Sequence, residues 1–334
     1  MKRVVCLVVI ISLVLFNLSA GGQREASEEE TIIIRAGHVN PPGEPAHEAW
    51  NLFKELMEQR LGDRVDVRIF PQGQLGGERD LIEQVQMGTL DMTAPSAGPL
   101  ANFNREILVL NLPYIFASES EMYRVLDGHI GDRLIESTLE RANILILDWW
   151  STGVRHIFTN DTPIRSPEDM AGMKIRVMEN PIFIDSFQAL GSLPTPLPYP
   201  DVYESIQTGV VEGAENDSSG YRTMSFYEVA PYYSLTSHLI ITKPVLINPD
   251  FYARLPDDVR TVFDQAIAEA TEYQRTLFAG NFATDIEWLE ENGVTVIEDV
   301  EIDRFRERML PVWDKYEDDF GADLLAEVKA ELGI

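Results

Sequence analysis

The order in which strand-like and helix-like segments alternate is the strongest constraint on how this chain folds. Thr31 to Gly37 is a β-branched strand, Ala46 to Leu61 has apolar residues at helical spacing, and Val65 to Phe70 alternates like a half-buried strand. A helix at Glu78 to Gly88 and a short buried strand at Leu90 to Ala94 continue the series. This β-α-β-α-β order predicts a mainly parallel sheet with helices on both faces.

A second unit of the same kind begins near Gly153. Its predicted elements are strands in HIFTN and MKIRVM, a helix at Ile182 to Ala189, a strand or turn at Pro194 to Pro200, a helix at Asp201 to Thr208, and a short segment at Gly213 to Asn216. Tyr232 to Ile247 is interpreted as a pair of strands returning through the first unit. Two units joined by several crossings leave a cleft, which loops at the carboxyl ends of the strands would line.

The last third of the chain is mostly helical. Pro256 to Glu291 reads as one nearly continuous helix, which at ~1.5 Å per residue would be roughly 50 Å long. A helix of that length predicts a strut that crosses both units. A final amphipathic helix, Arg304 to Leu332, is interrupted near Pro311 and Gly321.

The first residues read as an export signal rather than as part of the fold. Basic residues precede an apolar run, Val4 to Phe16, which is followed by small residues up to Ala20. This pattern predicts a signal peptide over residues 1–20 and a periplasmic mature protein. A retained N-terminal anchor is the alternative, although the run is short for a bilayer. Residues 21–30 are a polar, acidic leader that we expect to be disordered.

Charge and cysteine content exclude several classes of function. The formal net charge is −28, and removing the signal with Lys2 and Arg3 leaves −30. Such a surface repels phosphate backbones and anionic lipid, so we expect no nucleic-acid partner and no polybasic membrane contact. The only cysteine, Cys6, lies in the signal, so the mature chain has neither disulfide nor thiol chemistry. In a chain this acidic, arginines gathered in one place would indicate a functional site rather than ordinary surface residues.

Arg176 is the most informative charged residue. It lies in the stretch GMKIRVMENP, where alternation puts Ile175 and Val177 on one face and Lys174, Arg176 and Met178 on the other. One interpretation is a surface strand with both basic residues in water. The other is a strand end facing the cleft, where the planar guanidinium could bind a carboxylate through two parallel hydrogen bonds.

The segment from Gly172 to Asn216, GMKIRVMENPIFIDSFQALGSLPTPLPYPDVYESIQTGVVEGAEN, resembles the solute-binding proteins of TRAP transporters, the tripartite ATP-independent periplasmic transporters. The similarity extends back through RAGHVNPPGEPAHEAW, FPQGQLGGERDLIEQVQMGTLDM and GVRHIFTN, and covers essentially the whole mature chain. In that family the arginine at the place of Arg176 pairs with the substrate carboxylate. The resemblance also implies a monomer that delivers its ligand to TRAP membrane permease subunits driven by an ion gradient, without any chemistry of its own.

The resemblance implies the fold as well. The expected class is α/β, a two-lobe periplasmic-binding-protein (Venus-flytrap) fold with mixed sheets, a long helix spanning both lobes, and a C-terminal helix. The expected divisions are lobe 1 at 31–153 plus 241–280, lobe 2 at 154–240 plus 281–303, and a C-terminal helical segment at 304–334 that packs on the lobes.

Further residues fall at positions where this family contacts its ligand. Arg155, in GVRHIF, is placed as a second cleft arginine, and Asn216 as a donor and acceptor for a hydroxyl or carboxylate. Glu215 is either a ligand contact or a structural hydrogen-bond partner at a turn. Glu78 either accepts hydrogen bonds from sugar hydroxyls or only complements the start of its helix. A glutamate beside an anion site also tells against small dicarboxylates.

Four other residues are predicted ligand contacts, and three of them have a competing structural interpretation. His38 ends the first strand and is either a ligand contact or a structural donor, and Ser96 follows the third strand of the same lobe. Trp150 and Tyr221 could stack on a sugar face, although such aromatic residues more often lie in the core.

The stretch ENDSSGY at 215–221 resembles members that bind hexuronates. Together with Glu78, His38 and the two arginines, it predicts a carboxylated sugar such as glucuronate or galacturonate. The alternatives are an aldonate or another hydroxy monocarboxylate.

The sequence gives little support for an enzyme. His47-Glu48 begins an HExxH-like motif, but Asn51 stands where its second histidine belongs, and the five histidines have no metal-ligand spacing. We therefore expect no metal, no cofactor and no catalytic residues. A sugar-acid lyase and a binding protein coupled to a sensor remain as alternatives.

Overall fold

Strands of the computed structural model, which describes residues 31–334, form one mixed sheet of 9 strands. They are β1 (Ile32–Gly37), β2 (Val65–Phe70), β3 (Met92–Thr93), β4 (Leu145–Thr159), β5 (Lys174–Val177), β6 (Leu193–Pro196), β7 (Gly213–Asn216), β8 (Tyr232–Ile247) and β9 (Thr295–Ile297). The strand order is β2-β1-β3-β8-β4-β7-β5-β6, and β9 pairs with β8. The predicted signal peptide and leader lie outside the described residues.

Helices cover this sheet on both faces. They are α1 (Pro45–Leu61), α2 (Glu78–Met87), α3 (Ala97–Leu100), α4 (Glu119–Leu126), α5 (His129–Ala142), α6 (Pro181–Ala189), α7 (Val202–Gln207), α8 (Ser218–Thr223), α9 (Pro249–Arg254), α10 (Asp257–Glu291), α11 (Ile302–Met309), α12 (Val312–Phe320) and α13 (Ala322–Leu332). Within the described part of the chain, none is long and apolar enough to cross a bilayer.

The two long strands β4 and β8 join the lobes. Strands β1, β2 and β3 are parallel and make one half of the sheet, while β5, β6 and β7 are parallel and make the other. β4 and β8 run antiparallel through the middle, with register shifts between Ser151 and Val154 and between Arg155 and Ile157. The predicted two-lobe α/β fold is confirmed, whereas the proposed lobe boundaries remain predictions.

One of the sequence predictions is corrected by these strands. Tyr232 to Ile247 is one continuous strand rather than a pair, although Ser237 adopts a φ of 45° where the ladder is irregular. Gly153, near which the second unit is predicted to begin, lies inside β4 and has a φ of 73° at a register shift. A glycine readily adopts this left-handed conformation at a bulge.

Helix α10 confirms the predicted strut. Its 35 residues pack against α1 at one end and against α8 and β9 at the other. Its inner face is buried around Phe263, whose ring lies 5.2 Å from that of Phe53 in α1. The predicted breaks near Pro311 and Gly321 separate α11, α12 and α13. These three pack against α4, α5 and α6, so the C-terminal segment covers the sheet face opposite α1.

Candidate ligand-binding site

A partly open cavity lies where the carboxyl ends of the parallel strands in the two lobes meet, with about 330 Å³ of space including the solvent at its mouth. From the β1–β3 side and β8 it is lined by Val39, Asn40, Glu44, Glu78, Ser96 and Lys243. From the opposite side it is lined by Arg155, Arg176, Met178, Tyr199, Asn216 and Asp217. The wall is therefore mostly polar and carries both signs of charge.

Arg176 is the one lining guanidinium without an acidic partner among the described residues. It lies at the end of β5 with an exposure of only 2%. Its Nε donates to the carbonyl oxygen of Leu197 at 2.9 Å, and no carboxylate of residues 31–334 lies within ion-pair distance. Burial lowers the pKa of Arg176 more than any neighbour changes it. A buried, uncompensated cation of this kind favours an anionic guest.

Arg155, by contrast, is paired within the protein. Its guanidinium contacts both carboxylate oxygens of Glu215, one of them at 3.0 Å, and its Nη1 donates to Asn216 Oδ1 at 2.7 Å. Burial alone would lower the pKa of Arg155, but the charge and hydrogen bonds of Glu215 outweigh it and raise that pKa. Glu215 is 3% exposed and lies outside the cavity lining, so it serves as the counterion of Arg155.

Asn216 is a link in a chain of hydrogen bonds. Its Oδ1 accepts from Arg155, and its Nδ2 donates to the hydroxyl of Tyr199 at 2.9 Å. Since that hydroxyl oxygen is already an acceptor, its own proton is free to be donated. Burial, and then the nearby Glu44 and Asp217, raise the pKa of Tyr199 well above its ordinary value, so the proton is retained. Tyr199 therefore offers a donor beside Arg176.

Glu78 is held on the other side of the cavity by a buried cluster. Its Oε1 accepts from the backbone N–H of Ser96 at 2.9 Å, from the Ser96 hydroxyl at 3.1 Å, and from Lys243 Nζ at 3.2 Å. Lys243 is only 2% exposed and comes from the middle of β8. The structure thus joins Glu78 directly to Ser96, both predicted contacts, and adds Lys243, a lysine that the sequence analysis did not select.

Glu44 and Asp217 are two further acids of the lining, and both carry raised pKa values. Burial, followed by the charge of Asp217, raises the pKa of Glu44 to about 8. Burial raises the pKa of Asp217 to about 6, although the charge of Arg155 and a hydrogen bond from the Gly220 N–H oppose it. Glu44 accepts from Asn40 Nδ2 through one oxygen only. Its Oε2 and Asn40 Oδ1 are buried without a hydrogen-bond partner among the described residues.

Besides Glu215, three predicted contacts lie outside the lining. Trp150 is fully buried, packs 5.1 Å from Trp50, and donates its indole N–H to Thr271 at 2.9 Å. Tyr221 is also fully buried, and its hydroxyl donates to the carbonyl of Ala230 at 2.6 Å. His38 is 1% exposed, with its ring 5.3 Å from that of His47, and burial lowers its pKa to about 3, so it is neutral.

The sequence analysis missed several lining residues, and for only some of them does the surrounding sequence indicate a role in the site. Lys243 stands in the apolar stretch LIITKPVLI, where a lone cation is as unexpected as Arg176 in its strand. The reasoning applied to Arg176 would have found it. Glu44, Asn40 and Tyr199 lie in turn-rich loops, where polar residues are ordinary. Within residues 31–334, no group of three or more His, Cys, Asp or Glu side chains could hold a metal ion.

A two-lobe α/β fold that closes around a polar cavity is the architecture of a solute-binding protein. The chain belongs to the DctP family, described as bacterial extracellular solute-binding protein, family 7, which matches residues 36–319. It is therefore a TRAP solute-binding protein, as its motifs predicted.

Proteins similar to this chain bind several kinds of acid. It is 32% identical over 307 residues to the C4-dicarboxylate-binding periplasmic protein DctP of Rhodobacter capsulatus, a match covering 90% of this chain and 91% of that protein. A TRAP solute-binding protein from Roseobacter denitrificans with bound β-D-glucuronate has a TM-score of 0.85 and 33% identity, covering 89% of this chain and 99% of that one. One from a Polaromonas species with bound D-erythronate has a TM-score of 0.85 and 31% identity, covering 90% and 98%.

Proposed function

We propose that this protein captures a hexuronate such as glucuronate or galacturonate in the periplasm and delivers it to a TRAP permease driven by an ion gradient. The observation that carries the proposal is Arg176, a buried guanidinium that lines the cavity and has no carboxylate partner in residues 31–334. The guest's carboxylate supplies that partner. Charge-assisted hydrogen bonds contribute ~1.5–3 kcal/mol each, so two of them from one guanidinium support useful affinity.

The rest of the guest bridges the two lobes. Its hydroxyls meet Tyr199 and Asn216 on the side of Arg176, and Glu78, Ser96 and Lys243 on the other. A ligand that contacts both lobes has higher affinity for the closed form and shifts the population towards it. Arg155 acts indirectly, since its bonds to Glu215 and Asn216 hold the wall that presents Asn216 and Tyr199.

The proposal also includes the export of the protein and its membrane partner. The pattern over residues 1–20 supports secretion through a signal peptide, and the family supports TRAP membrane subunits as the partner. We propose that the protein works as a monomer and catalyses no reaction. The second candidate ligand is an aldonate, which the erythronate-bound relative supports.

A thermal-shift screen of about a hundred organic acids tests this function, because stabilisation follows the logarithm of ligand occupancy. The screen includes uronates, aldonates and C4-dicarboxylates, and calorimetry follows on the hits. Glucuronate or galacturonate should give saturable heat, and Arg176→Ala should weaken it by about a hundredfold or more. Lys174→Ala, an exposed cation on the same strand, is the matched control. Binding that survives Arg176→Ala unchanged, or turnover of the acid, would overturn the proposal.

A further inference from the structure

Asn40 and Glu44 present two hydrogen-bond acceptors that nothing in the described protein satisfies. Asn40 is 2% and Glu44 3% exposed, and both line the cavity. The amide Nδ2 of Asn40 donates to Glu44 Oε1, which leaves Asn40 Oδ1 and Glu44 Oε2 as adjacent acceptors without a donor in residues 31–334. Buried polar atoms are almost always hydrogen-bonded in folded proteins, so this pair calls for a donor from a guest.

A structural role for Glu44 does not account for its side chain. Glu44 is the residue before α1, but its carboxylate accepts no capping hydrogen bond from the backbone N–H groups of the first turn. Only the backbone of Glu44, and not its side chain, therefore contributes to the start of α1. Its carboxyl group is left to face the cavity.

The charges around the cavity reinforce this assignment. Glu215 neutralises Arg155, and Lys243 lies 3.2 Å from Glu78, which leaves Arg176 as the unpaired cation of the described wall. The charge of Asp217 raises the pKa of Glu44, so these two acids lie near each other in the wall. One carboxylate on the guest therefore finds a partner in Arg176, and a second would meet acidic side chains.

We propose that Asn40 and Glu44 are specificity-determining residues that bind hydroxyl groups of the ligand and, with Asp217, exclude a second carboxylate. This inference rests on the proposed function and narrows it to polyhydroxy monocarboxylic acids. Sugar hydroxyls can pair with Asn40 Oδ1 and with the Glu44 carboxyl group. The second carboxylate of a C4-dicarboxylate offers no proton to either and adds like charge beside Asp217 and, above about pH 8, beside an ionised Glu44.

The alternative arrangement is that Lys243 binds a second carboxylate of the ligand, and the test must distinguish it from the proposed one. Its ammonium group has three donors, and Glu78 is its one ion-pair partner in the described chain. If Lys243 instead binds a second carboxylate, dicarboxylates will bind well in spite of Glu44. Relative affinity for glucuronate and succinate distinguishes the two arrangements.

Calorimetry with D-glucuronate, D-gluconate and succinate tests the inference on the full-length mature protein. At about pH 9, where Glu44 is ionised, the wild type should bind glucuronate about a hundredfold or more tighter than succinate, and Glu44→Gln should reduce that ratio by about tenfold or more. Glu55→Gln, which replaces an exposed glutamate of α1, should leave the ratio unchanged. Asp217→Asn keeps an oxygen that can accept from the Gly220 N–H, and should also reduce the ratio even if Glu44→Gln fails to fold.

The failures of the two proposals are distinguishable. If the wild type binds none of the acids, the proposed function fails. If it binds glucuronate but the ratio stays within about twofold in both Glu44→Gln and Asp217→Asn, the function stands and this inference is wrong. Succinate binding as tight as glucuronate would overturn it as well, and would favour Lys243 as a second carboxylate site.

Discussion

Arg155 and Glu215 form a buried ion pair beside a second guanidinium, that of Arg176, which has no such partner among the described residues. The two residues lie diagonally across the neighbouring strands β4 and β7, because Ile157, two residues after Arg155, is opposite Glu215 in the ladder. Because the first arginine is neutralised within the protein, the electrostatic attraction for an anionic guest falls on the second. This division of roles leads to the predictions below.

Replacing Glu215 should destabilise the protein more than it changes ligand choice. Glu215→Leu leaves the Arg155 guanidinium buried without its carboxylate, and the free energy of unfolding should fall by about 3–5 kcal/mol in urea titrations. The double variant Arg155→Met/Glu215→Leu should recover part of that loss. Asp66→Asn, which breaks the exposed pair with Arg68, should cost about 1 kcal/mol or less. Equal losses in the buried and exposed variants would contradict this role.

Tyr199→Phe should weaken ligand binding while the fold stays intact. The change removes a donor to the guest and the acceptor of Asn216 Nδ2, so the dissociation constant in calorimetry should rise by about tenfold. Tyr203→Phe is the control, since its hydroxyl bonds Glu228 at an exposed position. An unchanged affinity in Tyr199→Phe would show that this hydroxyl faces no ligand.

The raised pKa of Glu44 predicts a pH-dependent stability. Its pKa rises from 4.5 to about 8 in the folded protein, chiefly through burial and then through Asp217. Between those values the unfolded chain releases this proton and the folded chain retains it, so the contribution of Glu44 to stability is lost as pH rises. Glu44→Gln lacks this loss.

Urea unfolding of the ligand-free protein at about pH 5 and about pH 8.5 measures the effect. The stability of Glu44→Gln relative to the wild type should increase towards the higher pH. The difference between the two proteins cancels the contributions of the buried histidines, whose pKa values are lowered instead. A difference that is constant with pH would mean that Glu44 titrates normally.

Gly98→Ala should hinder closure of the cleft. Gly98 lies in α3, after β3, and a Cβ there would come 2.8 Å from Cε2 of Phe183 in α6, after β5. The two elements would have to separate slightly, so ligand affinity should fall by about tenfold with little change in the melting temperature of the free protein. Gly280→Ala is the control, since nothing lies within 4 Å of the Cβ it adds. Equal effects of the two changes would argue against a contact across the cleft.

Regular periodicity made much of the fold predictable. The predicted strand Val65–Phe70 matches the structure, and α1, α6 and α10 differ from prediction by one residue at their starts. Residues 97–142 received no assignment. α3 is a single turn and Arg105–Asn111 is a 3₁₀ helix with no clear period, whereas α4 and α5 have buried residues at helical spacing that could have been recognised. Short elements that depend on tertiary packing leave little trace in a local pattern.

The candidate site was predictable where a residue contradicted its local pattern. Arg176, a cation in a buried strand, was selected for that reason, and Lys243 fits the same rule. Trp150 and Tyr221 occupy the core because their polar atoms find partners there, which the sequence cannot reveal. The division between Arg155 and Arg176 depends on the pairing of β4 with β7, a long-range relationship that no spacing in the sequence encodes.

A crystal structure of the mature protein with the tightest-binding uronate tests the central claim most directly. The account predicts that both carboxylate oxygens of the ligand accept hydrogen bonds from the terminal nitrogens of Arg176, at about 2.7–2.9 Å. A uronate whose carboxylate is bound elsewhere, with the Arg176 guanidinium contacting only protein, would contradict it.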